Sequence, residues 1–184
     1  MFKNKVLLHV CCGICAYEAI QRLKVEGFLP TALFFNPNIY PYSEYIRRKR
    51  VAEIVASKTK IDMVEGLYDP NIWQDACGKY GQEKEGQRRC LLCYELRLEE
   101  TFNLCKDKGF DYFTTTLTIS SHKVSADIFE LGRRLGQDRF LEINFKKKEG
   151  FKKSIEAAKK FNLYRQNYCG CIYSLRDRRQ KTKN

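Results

Sequence analysis

Residues 5–35 read KVLLHVCCGICAYEAIQRLKVEGFLPTALFF. Lys5-Val6-Leu7-Leu8-His9-Val10 is a short apolar run of the kind that forms a buried strand, and it ends directly at paired cysteines. Residues 16–25 have helical spacing and stop at Gly27; residues 30–35 form a second strand, closed by Asn36-Pro37-Asn38. The alternation continues outward. Residues 43–59 read as an amphipathic helix with Ser43 at its N-cap, 61–67 as a strand, 90–108 as a helix ending at Gly109, and 111–119 as a strand. A helix over 123–135, a fifth strand over 139–145 and a helix over 154–161 complete the pattern, while the polar stretch 75–89 reads as a loop or lid. Strands alternating with helices of this length imply parallel βαβ units. The expected fold is therefore α/β: an open, mostly parallel five-stranded sheet with helices on both faces, Rossmann-like or nucleotide-hydrolase-like, in a single domain over 1–184. Such sheets bind ligands beyond the carboxyl ends of their strands, near a switch point. Cys11 and Cys12 follow the first strand and Ser120-Ser121-His122-Lys123 follow the fourth.

The chain has 184 residues, 43% hydrophobic and 30% charged, which suits one domain and excludes wholesale disorder. No apolar run approaches the roughly 20 residues of a membrane span. Only residues 6–10 lean apolar after Met1-Phe2-Lys3-Asn4-Lys5, too few for a secretory signal, so a cytoplasmic setting is expected. The net charge of +12 is uneven. Residues 146–184 hold thirteen Lys or Arg against three acids, a net +10, and leave +2 for the first 145 residues. A concentrated basic block is the footprint of a polyanion partner such as nucleic acid; the alternative is a solubilising face.

Seven of the nine cysteines fall in three clusters: Cys11-Cys12-Gly13-Ile14-Cys15, Cys90-Leu91-Leu92-Cys93 and Cys169-Gly170-Cys171. Without a secretory signal, this favours metal or redox chemistry over a disulfide framework. Thiolates are soft ligands for zinc and for iron–sulfur clusters. A structural zinc site on Cys11, Cys12, Cys90 and Cys93 is the simpler option, but adjacent cysteines are uncommon in such sites, which favours a cluster. Cys77 and Cys105 stand alone and read as buried or incidental thiols. Cys169 and Cys171, one residue apart, suit a strained, labile disulfide of the catalytic kind. Tyr164, Arg165 and Tyr168 beside them suit stacking on unpaired bases; the alternative for Tyr164 and Tyr168 is a Tyr-rich core edge.

The ordered set Leu7-Leu8-His9-Val10-Cys11-Cys12-x-x-Cys15, Glu85-Gly86-x-x-Arg89-Cys90-x-x-Cys93-Tyr94-x-x-Arg97-Leu98, Thr116-Leu117, Ser120-x-His122-Lys123, Phe145-Lys146-Lys147 and Leu163-Tyr164-Arg165-Gln166-x-Tyr168-Cys169-Gly170-Cys171-x-Tyr173-Ser174 closely resembles the QueH family, the cobalamin-independent epoxyqueuosine reductases. The resemblance spans nearly the whole chain. Two departures are Gly13-Ile14, where the family usually has Ala-Pro, and Ser121, where it usually has Pro. The resemblance implies removal of the epoxide oxygen from epoxyqueuosine at the tRNA wobble position, the last step of queuosine biosynthesis. It implies a [4Fe–4S] cluster on Cys11, Cys12, Cys90 and Cys93, and a redox-active pair at Cys169 and Cys171. Cys15 is surplus: a ligand to a second mononuclear metal (iron or zinc), an alternative cluster ligand, or a packing residue.

His122 and Lys123 are candidates to donate a proton or hold phosphate; the alternative for His122 is helix capping. His9 reads as buried and structural. Lys152, Lys153, Arg176, Arg178 and Arg179 are candidates to follow the tRNA backbone. The expected partners are tRNA carrying epoxyqueuosine and an external electron donor, with no membrane and a monomeric chain. Two rivals stand beside this reading. A thiolase-like tRNA enzyme needs a phosphate-cradling loop where this chain has Cys11-Cys12-Gly13, and a zinc-stabilised RNA-binding module would be colourless and free of sulfide.

Overall fold

The computed structural model describes residues 4–181, so Lys183, the last base of the basic segment, lies outside the described residues. Strands β1 (Lys5–His9), β2 (Leu29–Phe34), β3 (Met63–Glu65) and β4 (Tyr112–Thr115) form one sheet in the order β3-β2-β1-β4, every pair parallel. The helices are α1 (Gly13–Val25), α2 (Tyr42–Thr59), α3 (Pro70–Cys77), α4 (Arg88–Asp107), α5 (Ser125–Gly136), α6 (Gly150–Lys160) and α7 (Ile172–Lys181). Alternation along β1 divides the core. Val6, Leu8 and Val10 pack with residues of α1 and α2 on one face, while Leu7 packs with Leu98 of α4 and Ile128 of α5 on the other. Each of these strand side chains is fully buried, worth about 1.5–3 kcal/mol apiece relative to exposure.

The chain leaves β1 toward β2 on one side and returns to pair β4 on the other. That reversal opens a crevice at the carboxyl end of β1, the position that in open α/β sheets receives ligands. Helix α1 starts at Gly13, earlier than periodicity predicts, directly after Cys12. A Cβ at Gly13 would lie 2.5 Å from the backbone carbon of Val51, so glycine is what lets α1 meet α2 this closely.

The sheet has four strands rather than the expected five. Residues 139–145 contribute only a single parallel bridge, Phe140 to Phe113. The Thr114 hydroxyl takes the Leu141 carbonyl at 2.9 Å and the Thr118 hydroxyl takes that of Ile143 at 2.9 Å, so side chains replace a ladder. Strand β4 itself ends early because Thr115 caps a 3-10 turn over Thr116–Ile119, its hydroxyl accepting from Leu117 N–H at 3.1 Å. Ser43 is not the cap of α2, which begins at Tyr42 with Pro41 at the N-cap. The stretch read as a loop begins inside α3, whose start is set by Pro70 and by Asp69 accepting from Asn71 N–H at 2.9 Å. Helix α7 was not foreseen either: its polar sequence lacks an apolar stripe.

Candidate metal and redox site

Residues that are far apart in the chain meet at the crevice. Cys11 leaves β1 and is fixed by Thr116, just past β4: Cys11 N–H donates to Thr116 Oγ1 at 3.1 Å, and that hydroxyl lies 3.3 Å from Cys11 Sγ. Cys12 is the N-cap of α1 and Cys15 lies in its first turn, so the Sγ atoms of Cys11, Cys12 and Cys15 all lie within 4.8 Å of one another. A metal bound to thiolates at about 2.3 Å needs sulfurs at such spacing. Hydrogen bonds from Cys12 and Cys15, with Arg97 and Lys123 nearby, hold the Cys11 thiol well below its usual range. In return Cys12 is pushed up to about 12 and Cys15 well up, each chiefly by its bond to Cys11.

Cys90 and Cys93 sit in the first two turns of α4 and are not members of that trio. Both are buried. Cys90 packs in the same apolar cluster against which Cys11 lies, and its Sγ accepts from Gly86 N–H at 3.2 Å. Burial pushes the Cys90 thiol up to about 11. Cys93 packs in a small cluster with Trp73, Cys77 and Cys171. Cys77 is fully buried, one of the two expectations for it, and burial raises it to about 12; its packing with Cys93 and Cys171 carried no sequence signal. Cys105 lies in the α4/α5 core, as expected.

The Cys169-Gly170-Cys171 turn crosses the crevice. Gly170 has φ +140°, in the region that favours glycine, and a Cβ there would meet Arg48 Nη1 and Asn38 Nδ2 at 3.1 Å. Arg48 on α2 holds the turn: Nη1 donates to Cys169 O at 2.8 Å and Nη2 to Tyr168 O at 3.2 Å. Glu44 pairs with Arg48 Nε at 2.7 Å and also accepts from the Tyr164 hydroxyl at 2.8 Å. Both cysteines of the turn are free thiols here. Lys123 Nζ approaches Cys169 Sγ to 3.8 Å. Burial works to lower the Lys123 pKa, yet Cys169, Tyr94 and Cys11 raise it above the ordinary lysine value.

A cleft of about 500 Å³ opens over these groups, lined by Cys11, Cys15, Arg97, His122, Lys123, Tyr168 and Cys169 among others. One wall comes from the basic segment: Phe151 and Ile155 of α6, exposed Arg165, and Asp177 and Arg178 of α7. Tyr164 lies behind that wall as a strut to Glu44, with Arg47 stacked 4.8 Å over its ring. Tyr168 faces the cleft and donates its hydroxyl to Tyr40 O. The exposed His122 ring borders the cleft, while the His122 backbone N–H donates to Ser120 Oγ at 3.2 Å. Several backbone candidates are tied to neighbours: Lys152 to Glu149 at 3.1 Å, Lys153 to Glu18 at 3.7 Å and Arg176 to Asp177 at 2.9 Å. His9 is fully buried, its Nδ1 2.9 Å from the Thr115 hydroxyl; burial, then Arg97, push its pKa down to about 3. No helix among the described residues is long and apolar enough to cross a membrane.

Residues 6–177 match the family model described as epoxyqueuosine reductase QueH. Among curated relatives, the epoxyqueuosine reductase QueH of Histophilus somni is 35% identical over 178 residues, covering 95% of this chain and 73% of that protein. That of Streptococcus pyogenes is 34% identical over 181 residues (94% and 71%), and that of Thermotoga maritima 33% identical over 182 residues (96% and 93%).

Proposed function

The chain belongs to the epoxyqueuosine reductase QueH family, and on that premise we propose how its cysteine-lined cleft carries out the reaction. It is an oxidoreductase of tRNA queuosine biosynthesis that reduces epoxyqueuosine to queuosine. Converting an epoxide to an alkene consumes two electrons and two protons and releases water. Cys169 and Cys171 match that demand: as a dithiol closing to a disulfide they give up two electrons and two protons, and an external carrier restores them.

Cys11, Cys12, Cys90 and Cys93 are the ligands proposed for a [4Fe–4S] cluster, with Cys15 free to serve a second mononuclear metal, iron or zinc, or to replace one ligand. Cys11 and Cys12, with Cys15, bring three sulfurs within 4.8 Å of one another, and thiolates are the ligands such clusters take; Cys90 and Cys93, buried on α4, would complete the set. When bound, the cluster supplies electrons singly, and an iron with an open position supplies a Lewis acid for the epoxide oxygen. Lys123, its Nζ 3.8 Å from Cys169 Sγ, is placed to return a proton. His122 is a second proton donor or phosphate contact at the rim. Arg165 and Tyr168 receive the wobble nucleotide splayed out of its single-stranded loop, and Tyr164 orders that wall. The basic segment follows the tRNA backbone, in the cytoplasm where tRNA is modified.

The observation that carries this reading is that Cys11, Cys15 and Cys169, from two distant cysteine segments, line one switch-point cleft, while Cys93 of the third segment packs with Cys171. Anaerobic purification with iron and acid-labile sulfide analysis tests the cofactor; stoichiometric zinc without sulfide would refute it. Cys169→Ser is expected to abolish turnover while iron, sulfide and visible absorption persist. Full activity in that variant would refute the dithiol relay.

A further inference from the structure

Two guanidinium groups are buried beside the sulfurs, and among the described residues neither pairs with a carboxylate, although Glu83 Oε2 accepts from the Arg89 backbone N–H at 3.3 Å. Arg97 is 2% exposed and Arg89 1% exposed, and both stand on α4 next to Cys93 and Cys90. None of the ion pairs among the described residues involves either of them. Arg97 donates from Nη2 to Asn36 Oδ1 at 2.9 Å and from Nη1 to Cys93 Sγ at 3.7 Å, and its Nε lies 3.4 Å from His9 Nε2. Asn36 is neutral, and buried His9 is held in its neutral form. Arg89 gives Nη1 to the carbonyls of Gly81 and Glu83, but its Nε and Nη2 have no partner. Burying a charge in such surroundings is costly unless an opposite charge lies close by. The candidates for that charge are the thiolates and whatever they bind, because a thiolate-ligated iron–sulfur cluster is an anion.

We propose that Arg97, facing Cys93 and the Cys11 crevice, is the counter-charge of the sulfur centre and holds its reduction potential up. A fixed positive charge favours the reduced form, which carries one more negative charge, and burial leaves little water to screen the interaction. Arg97 thus acts on the chemistry through the centre rather than by touching substrate. Its position was open to view in sequence, since Cys93 and Arg97 are four apart on a helix and share a face. The alternative is purely mechanical: a fork that ties α4 to the Asn36 loop.

The inference rests on the cluster reading above, and the test separates the two. Native protein, Arg97→Gln and Arg97→Lys are purified anaerobically and compared for iron and sulfide content, circular dichroism and midpoint potential by spectroscopically monitored redox titration. Arg97→Gln should retain iron and sulfide, with reduction at least tenfold less favourable, a fall of 59 mV for one electron. Arg97→Lys, which keeps the charge but loses the fork, should stay near the native potential. Loss of the centre in Arg97→Gln with its retention at native potential in Arg97→Lys supports the same conclusion. An unchanged potential in Arg97→Gln overturns the proposal, as does an equal shift in both variants or loss of the centre from both. Native protein lacking iron and sulfide overturns the cluster reading and this inference with it.

Discussion

Replacing Arg48 by methionine removes the cation that ties α2 to the Cys169-Gly170-Cys171 turn. Arg48 is 2% exposed and Glu44 6% exposed, and their 2.7 Å contact is a buried ion pair. Breaking such a pair from one side strands the other charge and costs about 3–5 kcal/mol. For a domain of this size that is a Tm loss of roughly 6–20 °C. Tyr164 still donates to Glu44, and Arg47 lies 3.8 Å away, so the lower half of the range is expected. Adding Glu44→Gln removes the stranded carboxylate and should recover about 1–3 kcal/mol. Turnover should not recover with it, because the carbonyls of Tyr168 and Cys169 still lack their donor and the turn is no longer held over the cleft. Urea unfolding of native, single and double variants, alongside turnover on epoxyqueuosine-bearing tRNA, measures both effects. A double variant no more stable than the single one would refute the stranded-charge argument. Native turnover in either variant would refute the clamp.

His9 supplies an acid-sensitivity prediction. Its pKa falls from 6.5 to about 3 on folding, so the unfolded chain binds the extra proton, and stability is lost as pH drops from 6.5 toward 3. Going from pH 7 to pH 5 should remove about 2 kcal/mol through His9, and His9→Gln should lose that much less over the same interval; parallel urea-midpoint curves for the two proteins would contradict this. The basic wall of the cleft predicts that tRNA affinity falls with salt, with a log–log slope of about −0.7 per phosphate contacted in a single-stranded loop. Filter binding across a salt series measures that slope, and affinity indifferent to salt would place the RNA elsewhere.

The βαβ alternation, the parallel sheet and the location of Cys11 and Cys12 at the end of β1 are legible in the amino-acid order alone, because strand and helix periods and a cysteine's place after a strand are local properties. The same order also marks the three cysteine clusters and the basic segment, which are matters of spacing and count. The fifth strand was misread because residues 139–145 have strand-like composition, while pairing depends on what faces them: threonine hydroxyls of β4 and the turn after it take their carbonyls.

Which side chains share the crevice emerges only from the folded molecule. Arg48 reaches Cys169 across 121 positions and Cys11 reaches Thr116 across 105, separations over which no local pattern carries information. Cys77 joins Cys93 and Cys171 only because α3 packs there, and Arg97 is distinguished from the surface arginines only by its burial without a carboxylate. Residue type is written in the chain, but the charge a group must bear and the partner that balances it follow from the desolvation that long-range packing imposes.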